Sequence, residues 1–351
     1  MTAPAAAPPR VTAVVLAYGA ERWLEPAVRA ALDSTGADVD VVVVDNGCTT
    51  DQVDAVKNLP GVTVLRPAAN LGFTGGCNLG AAHATGDWLA FVNSDAVVAP
   101  EALARLAAVA AEPGVGLAMG SVRLAGDPET VNTAGNPLTY FGVSWAGGCY
   151  EPASRYATRR SVTCGSGCCF VIGADTFREL GGFAEEYFAY HEDSELSLRL
   201  WQRGRSVEYV PDAVVVHHYE FSRNDTKSYL LERNRLVLLL TSYQARSLLL
   251  VAPMLAVAEV AMLGSAAAGG WLRAKLRGYA WLWRHRSWVR ARRRQLQRER
   301  TRSDRDLAPL YTATFDATNV ETPPGVGVFN ALSRTWWALV RPLLPRRVAT
   351  R

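Results

Sequence analysis

Three signatures are missing from this chain of 351 residues, and each absence removes a class of function. No Gly-x-Gly-x-x-Gly turn follows the first strand-like run; Ala17-Tyr18-Gly19-Ala20-Glu21-Arg22 stands there instead. Without those glycines the backbone cannot close on a pyrophosphate at that turn, so a dinucleotide-dependent dehydrogenase is set aside. The six cysteines (Cys48, Cys77, Cys149, Cys164, Cys168 and Cys169) offer no paired Cys-x-x-Cys and no matching histidines, so no zinc site is expected. A chain this long does not need disulfide staples, and reduced thiols in a cytosolic compartment are the expectation. The N-terminus has no basic stretch, and its first apolar run, Val11 to Tyr18, is of strand length, so no secretory leader is expected. Residues 1–9, rich in Ala and Pro, are expected to be disordered.

What is present is unevenly charged. The net charge is only +4, but residues 1–235 hold 18 Lys/Arg against 27 Asp/Glu, and residues 236–351 hold 19 against 6. An acidic globular part joined to a basic part implies two different jobs. In the acidic part, short β-branched runs alternate with amphipathic segments. Strands are expected at Val11–Ala17, Asp40–Asp45, Val62–Arg66 and Asp87–Asn93. Helices are expected at Arg22–Leu32, Thr50–Leu59, Gly75–Ala84 and Pro100–Glu112. This order implies a doubly wound open sheet, which binds ligands at the carboxyl ends of its strands. Three such ends are polar: Asp45-Asn46-Gly47, Asn70-Leu71-Gly72 and Asn93-Ser94-Asp95. Further on, Glu192, Asp193 and Glu195 precede an apolar-periodic run through Leu196, Leu198, Leu200 and Trp201. The trio reads either as a helix cap or as a place where a proton is taken.

Several segments in this order resemble the inverting family 2 glycosyltransferases with a GT-A fold, over roughly residues 10 to 240. They are Val43 to Asp51, Asn70 to Gly80, Phe91 to Asp95, the Gly181-Gly182-Phe183 turn through Glu192-Asp193, His217, and Arg233-Asn234-Arg235. The likeness points to the rhamnosyl- and galactofuranosyltransferase-like branch. It implies an α/β, Rossmann-like mixed sheet of the nucleotide-diphospho-sugar transferases, to which the residues beyond 240 add a C-terminal helical, membrane-associating extension. It also implies a UDP- or dTDP-sugar donor, with Asp45 accepting the imide N–H of the base. Ala17, Tyr18, Asn70, Gly72, Asn93, Ser94, Arg233 and Arg235 would complete the donor site. Asp95 and His217 would hold Mg²⁺ or Mn²⁺ against the diphosphate. Asn93 stands where the family's metal motif has its first acid, which leaves more of the metal to Asp95. Asp193 would be the general base, Glu192 its helper, and Glu195 would pack against Arg199 at helical spacing. The other reading that the altered motif leaves open is a non-catalytic scaffold on the same fold.

From Ser247 to Leu272 the chain is almost wholly apolar, broken only by Pro253 and Glu259, and long enough to span a bilayer. Arg273, Lys275, Arg277, Arg284, Arg286, Arg290 and Arg292-Arg293-Arg294 follow, interleaved with Trp271, Trp281, Trp283 and Trp288. Tryptophan with arginine suits an anionic lipid surface. A single crossing would part the catalytic domain from its basic flank, so the expectation is a helix lying on or dipping into the cytoplasmic face of the plasma membrane. A soluble helical subdomain is the alternative. No nucleic-acid motif accompanies the arginines, and a homo-oligomer is compatible with the sequence. The expected divisions are a tail at 1–9, the GT-A domain at 10–240, the apolar-then-basic region at 241–302, and a C-terminal tail with an amphipathic helix at 303–351. Its acceptor would be a lipid-linked or cell-wall polysaccharide.

Overall fold

Consecutive valines suit a strand covered on both faces, and the two valine-rich runs pair in parallel within the sheet. The computed structural model describes residues 7–219, 224–319 and 324–348. Its strands are β1 (Arg10–Gly19), β2 (Asp38–Cys48), β3 (Val62–Leu65), β4 (Trp88–Asn93), β5 (Ala96–Val98), β6 (Val115–Leu124), β7 (Asp127–Thr133), β8 (Arg160–Ser161), β9 (Cys169–Gly173) and β10 (Ser206–His217). They form one sheet in the order β3-β2-β1-β4-β9-β6-β10-β5, with β7 beside β6 and β8 beside β10. β3, β2, β1 and β4 run parallel. β9 lies antiparallel between β4 and β6, and β5 antiparallel to β10, so the sheet is mixed, as expected.

The helices of the first part are α1 (Leu24–Leu32), α2 (Gln52–Val56), α3 (Gly72–Ala82) and α4 (Ala102–Ala110). All four match expected helices, but α2 is shorter than expected. Pro60 biases the residue before it away from helix, and the Thr50 hydroxyl donates to the Glu21 carbonyl instead of entering the helix. After β9 come α5 (Ala174–Glu179), α6 (Glu192–Gln202), α7 (Asp225–Ser242), α8 (Ala245–Ala268), α9 (Leu272–Arg284), α10 (Arg286–Glu299), α11 (Asp304–Leu307) and α12 (Val326–Val340). All six cysteines are free, five of them buried. Most of the segment expected to be disordered, residues 1–6, lies outside the described residues; Pro9 accepts a bond from the Asp38 N–H.

The expected break at residue 303 is not a break in packing. Leu138, Tyr140 and Phe141 share one buried cluster with Tyr243, Val251 and Met254 and with Trp337, Val340 and Leu344. The Tyr140 and Trp337 rings stack at 4.5 Å, and the Tyr140 hydroxyl donates to the Ser333 carbonyl at 3.1 Å. The C-terminal segment therefore shares a buried cluster with residues of the sheet-bearing part, beside the main core of the sheet. α8 is docked as well. Ser247, Val251, Met254, Ala258 and Ala266 form its buried stripe, and Glu259 meets Arg235, Lys275 and Tyr279.

Candidate active site

The end of β4 turns through Asn93-Ser94-Asp95 into β5, and β5 pairs antiparallel with the end of β10, Ala96 opposite His217. That pairing carries His217 to Asp95. The ring Nε2 lies 3.1 Å from Asp95 Oδ1, and Nδ1 lies 2.9 Å from Asn132 Oδ1. A neutral imidazole can donate to only one of these oxygens. With the Nδ1 hydrogen on Asn132, the Nε2 lone pair faces a carboxylate, an arrangement that calls for a cation. Adjacent corners of an octahedron with ~2.1 Å bonds lie ~3.0 Å apart, so the pair fits two neighbouring ligands of Mg²⁺ or Mn²⁺. Asn132 supplies the outer hydrogen bond that ligating histidines need. No group of three or more His, Cys, Asp or Glu side chains gathers among the described residues, so other ligands would come from diphosphate and water. His218 points the other way, its ring stacked on Trp23 at 3.5 Å.

The ends of β1 and β2 form the neighbouring rim, with Ala17 opposite Asp45. Asp45 accepts from the Cys48 N–H (2.9 Å), the Gly47 N–H (3.3 Å) and Arg66 (3.0 Å). Burial acts to raise its pKa, but these donors outweigh it and hold the group below the usual range. It is therefore an ionised acceptor, suited to an imide N–H. The exposed Tyr18 ring lies beside Gly47. Glu21 ties this rim to the Asn93–Asp95 turn, accepting from the Tyr18 N–H at 2.8 Å and the Ser94 hydroxyl at 2.9 Å. Sequence reasoning missed Glu21, which reads there as an ordinary acid before a helix. It missed Asn132 and Arg66 too, because only pairing across the sheet brings them to the site.

Asn70 and Gly72 serve the frame. Asn70 Oδ1 accepts from the Asn46 amide and the Gly72 N–H, both within 2.9 Å. Gly72 has φ +70°, and a Cβ there would stand 2.5 Å from Phe188. The glycine lets α3 touch the turn that leads to the acids.

In that turn Phe188, Tyr190 and His191 all have positive φ, at 64°, 69° and 64°, each costing a non-glycine residue ~1–2 kcal/mol. Glu192 and Asp193 follow at the N-terminus of α6. Asp193 Oδ2 accepts from the Gly167 N–H at 3.2 Å, and Oδ1 from the Ser194 N–H at 2.6 Å. Next to Gly167, the Cys168 carbonyl accepts from the Asn93 N–H at 2.9 Å. Two hydrogen bonds thus join the general-base candidate to the strand end that carries Asp95. Burial, then the neighbouring Asp193, push the Glu192 carboxyl up to about 8. Asp193 is also raised by burial, against three hydrogen bonds that favour its ionised form. Near neutral pH Glu192 keeps its proton, while the donors on Asp193 favour its ionised form, so environment sets the two carboxyls apart.

Comparison with known proteins bears on the fold and the family. The family model described as Glycosyl transferase family 2 matches residues 12–181. The match supports a family 2 glycosyltransferase, as the motifs in the sequence implied. An N-acetylglucosaminyl-diphospho-decaprenol L-rhamnosyltransferase of Mycobacterium tuberculosis is 29% identical over 249 residues, which is 63% of this chain and 80% of the relative. The succinoglycan biosynthesis protein ExoO of Rhizobium meliloti is 37% identical over 101 residues, 28% of this chain and 29% of that one. Among solved structures, the mannosyltransferase PcManGT of Pyrobaculum calidifontis, in complex with GDP-Man and Mn²⁺, superposes with a TM-score of 0.52 at 21% identity. The match covers 83% of this chain and 86% of that one. GalNAc-T7 with UDP, GalNAc and Mn²⁺ gives a TM-score of 0.51 at 19% identity, covering 60% of this chain and 44% of that one. The fold is GT-A, and the family match and the relatives support a transferase enzyme.

Two expected donor ligands of the transferase are engaged elsewhere. Arg235 is 1% exposed and bonds Glu232, Glu259 and the Phe141 carbonyl. Arg233 is buried and donates to the Glu186 and Tyr187 carbonyls at 2.8 and 2.7 Å, its guanidinium over the Trp281 ring. Both lie in α7, buried beneath the acid-bearing turn with the ends of their guanidinium groups bonded to protein, so the diphosphate contact expected of them is not what this structure presents. Glu195 is buried between Arg199 (2.7 Å) and Arg292 (2.6 Å), the first as its spacing predicted. The basic run is divided as well. Arg292 and Arg300 pair with buried acids and Lys275 with half-buried ones, while Arg273, Arg284, Arg286 and Arg290 are exposed.

Proposed function

We propose that this transferase is an inverting enzyme that moves a sugar from a UDP or dTDP donor to a lipid-linked or cell-wall polysaccharide acceptor. The observation that carries the proposal is the shared rim: Asp193 is tied through Gly167 and Cys168 to the turn that bears Asp95. The base would lie by Asp45, Ala17 and Tyr18, and the ribose and phosphates over Asn93, Ser94 and Asp95. Asp95 and His217 would hold the divalent metal, which supplies positive charge to the departing diphosphate. Asp193 takes the proton of the acceptor hydroxyl as that oxygen bonds the anomeric carbon and the bond to diphosphate breaks, so the configuration inverts. Glu192, protonated beside it, adds no second negative charge. The lipid-linked acceptor is supported by the name of the mycobacterial relative, and the metal by the Mn²⁺ in the names of the two structural neighbours.

For localisation we propose a helix lying flat on the anionic cytoplasmic leaflet. α8 is the one helix among the described residues long and apolar enough to cross, yet its stripe through Val251 and Ala258 is docked on the protein. Its outward face carries Leu249, Val257 and Val260. Beside it α12 exposes Val328, Leu332 and Leu339, and α9 exposes Leu276 and Trp283 among its arginines. Such apolar faces rimmed by arginine suit the membrane interface.

Asp193→Asn tests the catalytic reading. Turnover should fall roughly 10²–10⁴-fold, the usual worth of a general base, with donor affinity kept. Near-normal turnover in the folded variant would overturn it.

A further inference from the structure

The turn at residues 187–191 is held in an unfavourable conformation: the Thr74 N–H of α3 donates to the Phe188 carbonyl at 3.1 Å, and the side-chain hydrogen bonds that hold it come from one place on α7. Phe188 sits at φ 64°, ψ −58°, closed by the Ala189 N–H donating to the Tyr187 carbonyl at 2.7 Å, a tight γ-turn. Tyr190 and His191 follow in positive φ, and His191 is the residue before Glu192. Nothing in this sequence favours that shape, since the turn has no glycine. The Asn234 amide donates to the carbonyls of Tyr187 (3.0 Å), Ala189 (2.8 Å) and Tyr190 (2.7 Å). Arg233 donates to the Tyr187 and Glu186 carbonyls, and its Nε–H donates to Asn234 Oδ1 at 2.8 Å. Asn234 is 1% exposed and Arg233 5%. The guanidinium lies between the rings of Tyr229 and Trp281, at 5.2 and 4.7 Å. Outward-facing carbonyls of a strained turn are thus gathered onto one amide and one cation.

We infer that Arg233 and Asn234 are positioning residues for the transfer step: they hold the 187–191 turn so that Asp193 meets Gly167 and the acceptor. The inference rests on Asp193 being the general base. Without the clamp the turn relaxes toward ordinary backbone conformations, and the start of α6 moves with it. Asp193 then loses its Gly167 and Ser194 donors, which favour the ionised form. A shift of about 1 Å in a catalytic group is enough to lower turnover substantially.

The test uses the full chain with Asn234→Leu, which keeps the volume and removes the donors, and Arg233→Lys, a milder change. Turnover should fall about 10–100-fold, donor affinity by titration should stay within about twofold, and the acid limb of the pH–rate profile should move to higher pH. In the double variant Asp193→Asn with Asn234→Leu, the second change should add little, because it acts through the first. Donor affinity falling in step with turnover would overturn the inference and restore a donor-binding role. So would an unchanged rate and acid limb in folded Arg233→Lys and Asn234→Leu, or a full additional loss in the double variant. Failure of the base assignment is distinct, because it shows as activity in Asp193→Asn alone.

Discussion

Replacing Glu259 by leucine separates two accounts of α8 by the sign of its effect. The helix has a mean hydropathy of 2.0 in its most apolar window. If it crossed a bilayer, an acid near its middle would oppose insertion by ~2–3 kcal/mol, the scale set by other charged residues, and leucine would relieve that. In the structure the acid belongs to a neutral quartet. Glu232 and Glu259 face Arg235 and Lys275, with the lysine 2.5 Å from Glu232 and 2.9 Å from Glu259. Burial pushes the Glu259 carboxyl up, but Arg235, Tyr279 and Lys275 outweigh it and hold the group at about 2. Both cations are essentially fully buried, at 1% and 0% side-chain exposure. Leucine would leave two buried cations with one acid, which costs roughly 3–5 kcal/mol for breaking such a pair. Melting should fall by roughly 4–7 °C for a chain of this size, read by fluorescence in mild detergent. Adding Lys275→Met restores the charge balance, so the double variant should recover ~1–3 kcal/mol relative to the sum of the singles. A Glu259→Leu protein as stable as the parent, or more stable, would refute the docked helix.

Glu192→Gln should leave turnover near pH 7 within a few-fold, because that carboxyl is already neutral there. The folded-state pKa of Glu192 is raised from 4.5 to about 8, so the native state keeps a proton that the unfolded chain releases. Stability should therefore fall as pH rises from about 4.5 to about 8, by the order of a few kcal/mol, and the glutamine variant should flatten that slope; equal slopes would count against the buried carboxyl. Asn132→Leu should weaken Mn²⁺-dependent donor binding about 10–100-fold by releasing the His217 ring, with unchanged titrations refuting the ligand pair. Leu249→Asp with Leu332→Asp should abolish flotation on anionic vesicles while donor turnover in solution persists, and retained flotation would refute the proposed lipid face.

How much of this was legible follows from the range of the interactions involved. The first four strands and helices are local matters of valine runs, amphipathic period and turn residues, and they lie close to where the sequence puts them. The polar ends of β2 and β4 were readable because parallel strands bring their carboxyl ends to one rim, whereas Asn70 lies beyond β3, just before α3. Glu195 was readable too, since Arg199 lies four residues on along one helix face. Arg233 and Arg235 were not. Two arginines flanking an asparagine on a helix read as free cations, and only tertiary packing reveals the carbonyls of residues 186–190 and the acids of α7 and α8 that occupy them. Glu259 misled in the same way. Within an apolar run it reads as a flaw in a membrane helix, whereas in the fold it is the residue that fixes the helix to the enzyme. A charge interrupting an apolar run is costly to bury alone. Its presence there is thus itself evidence for partners of opposite sign, and Lys275, sixteen residues on in the basic run, was the nearer of the two to look for.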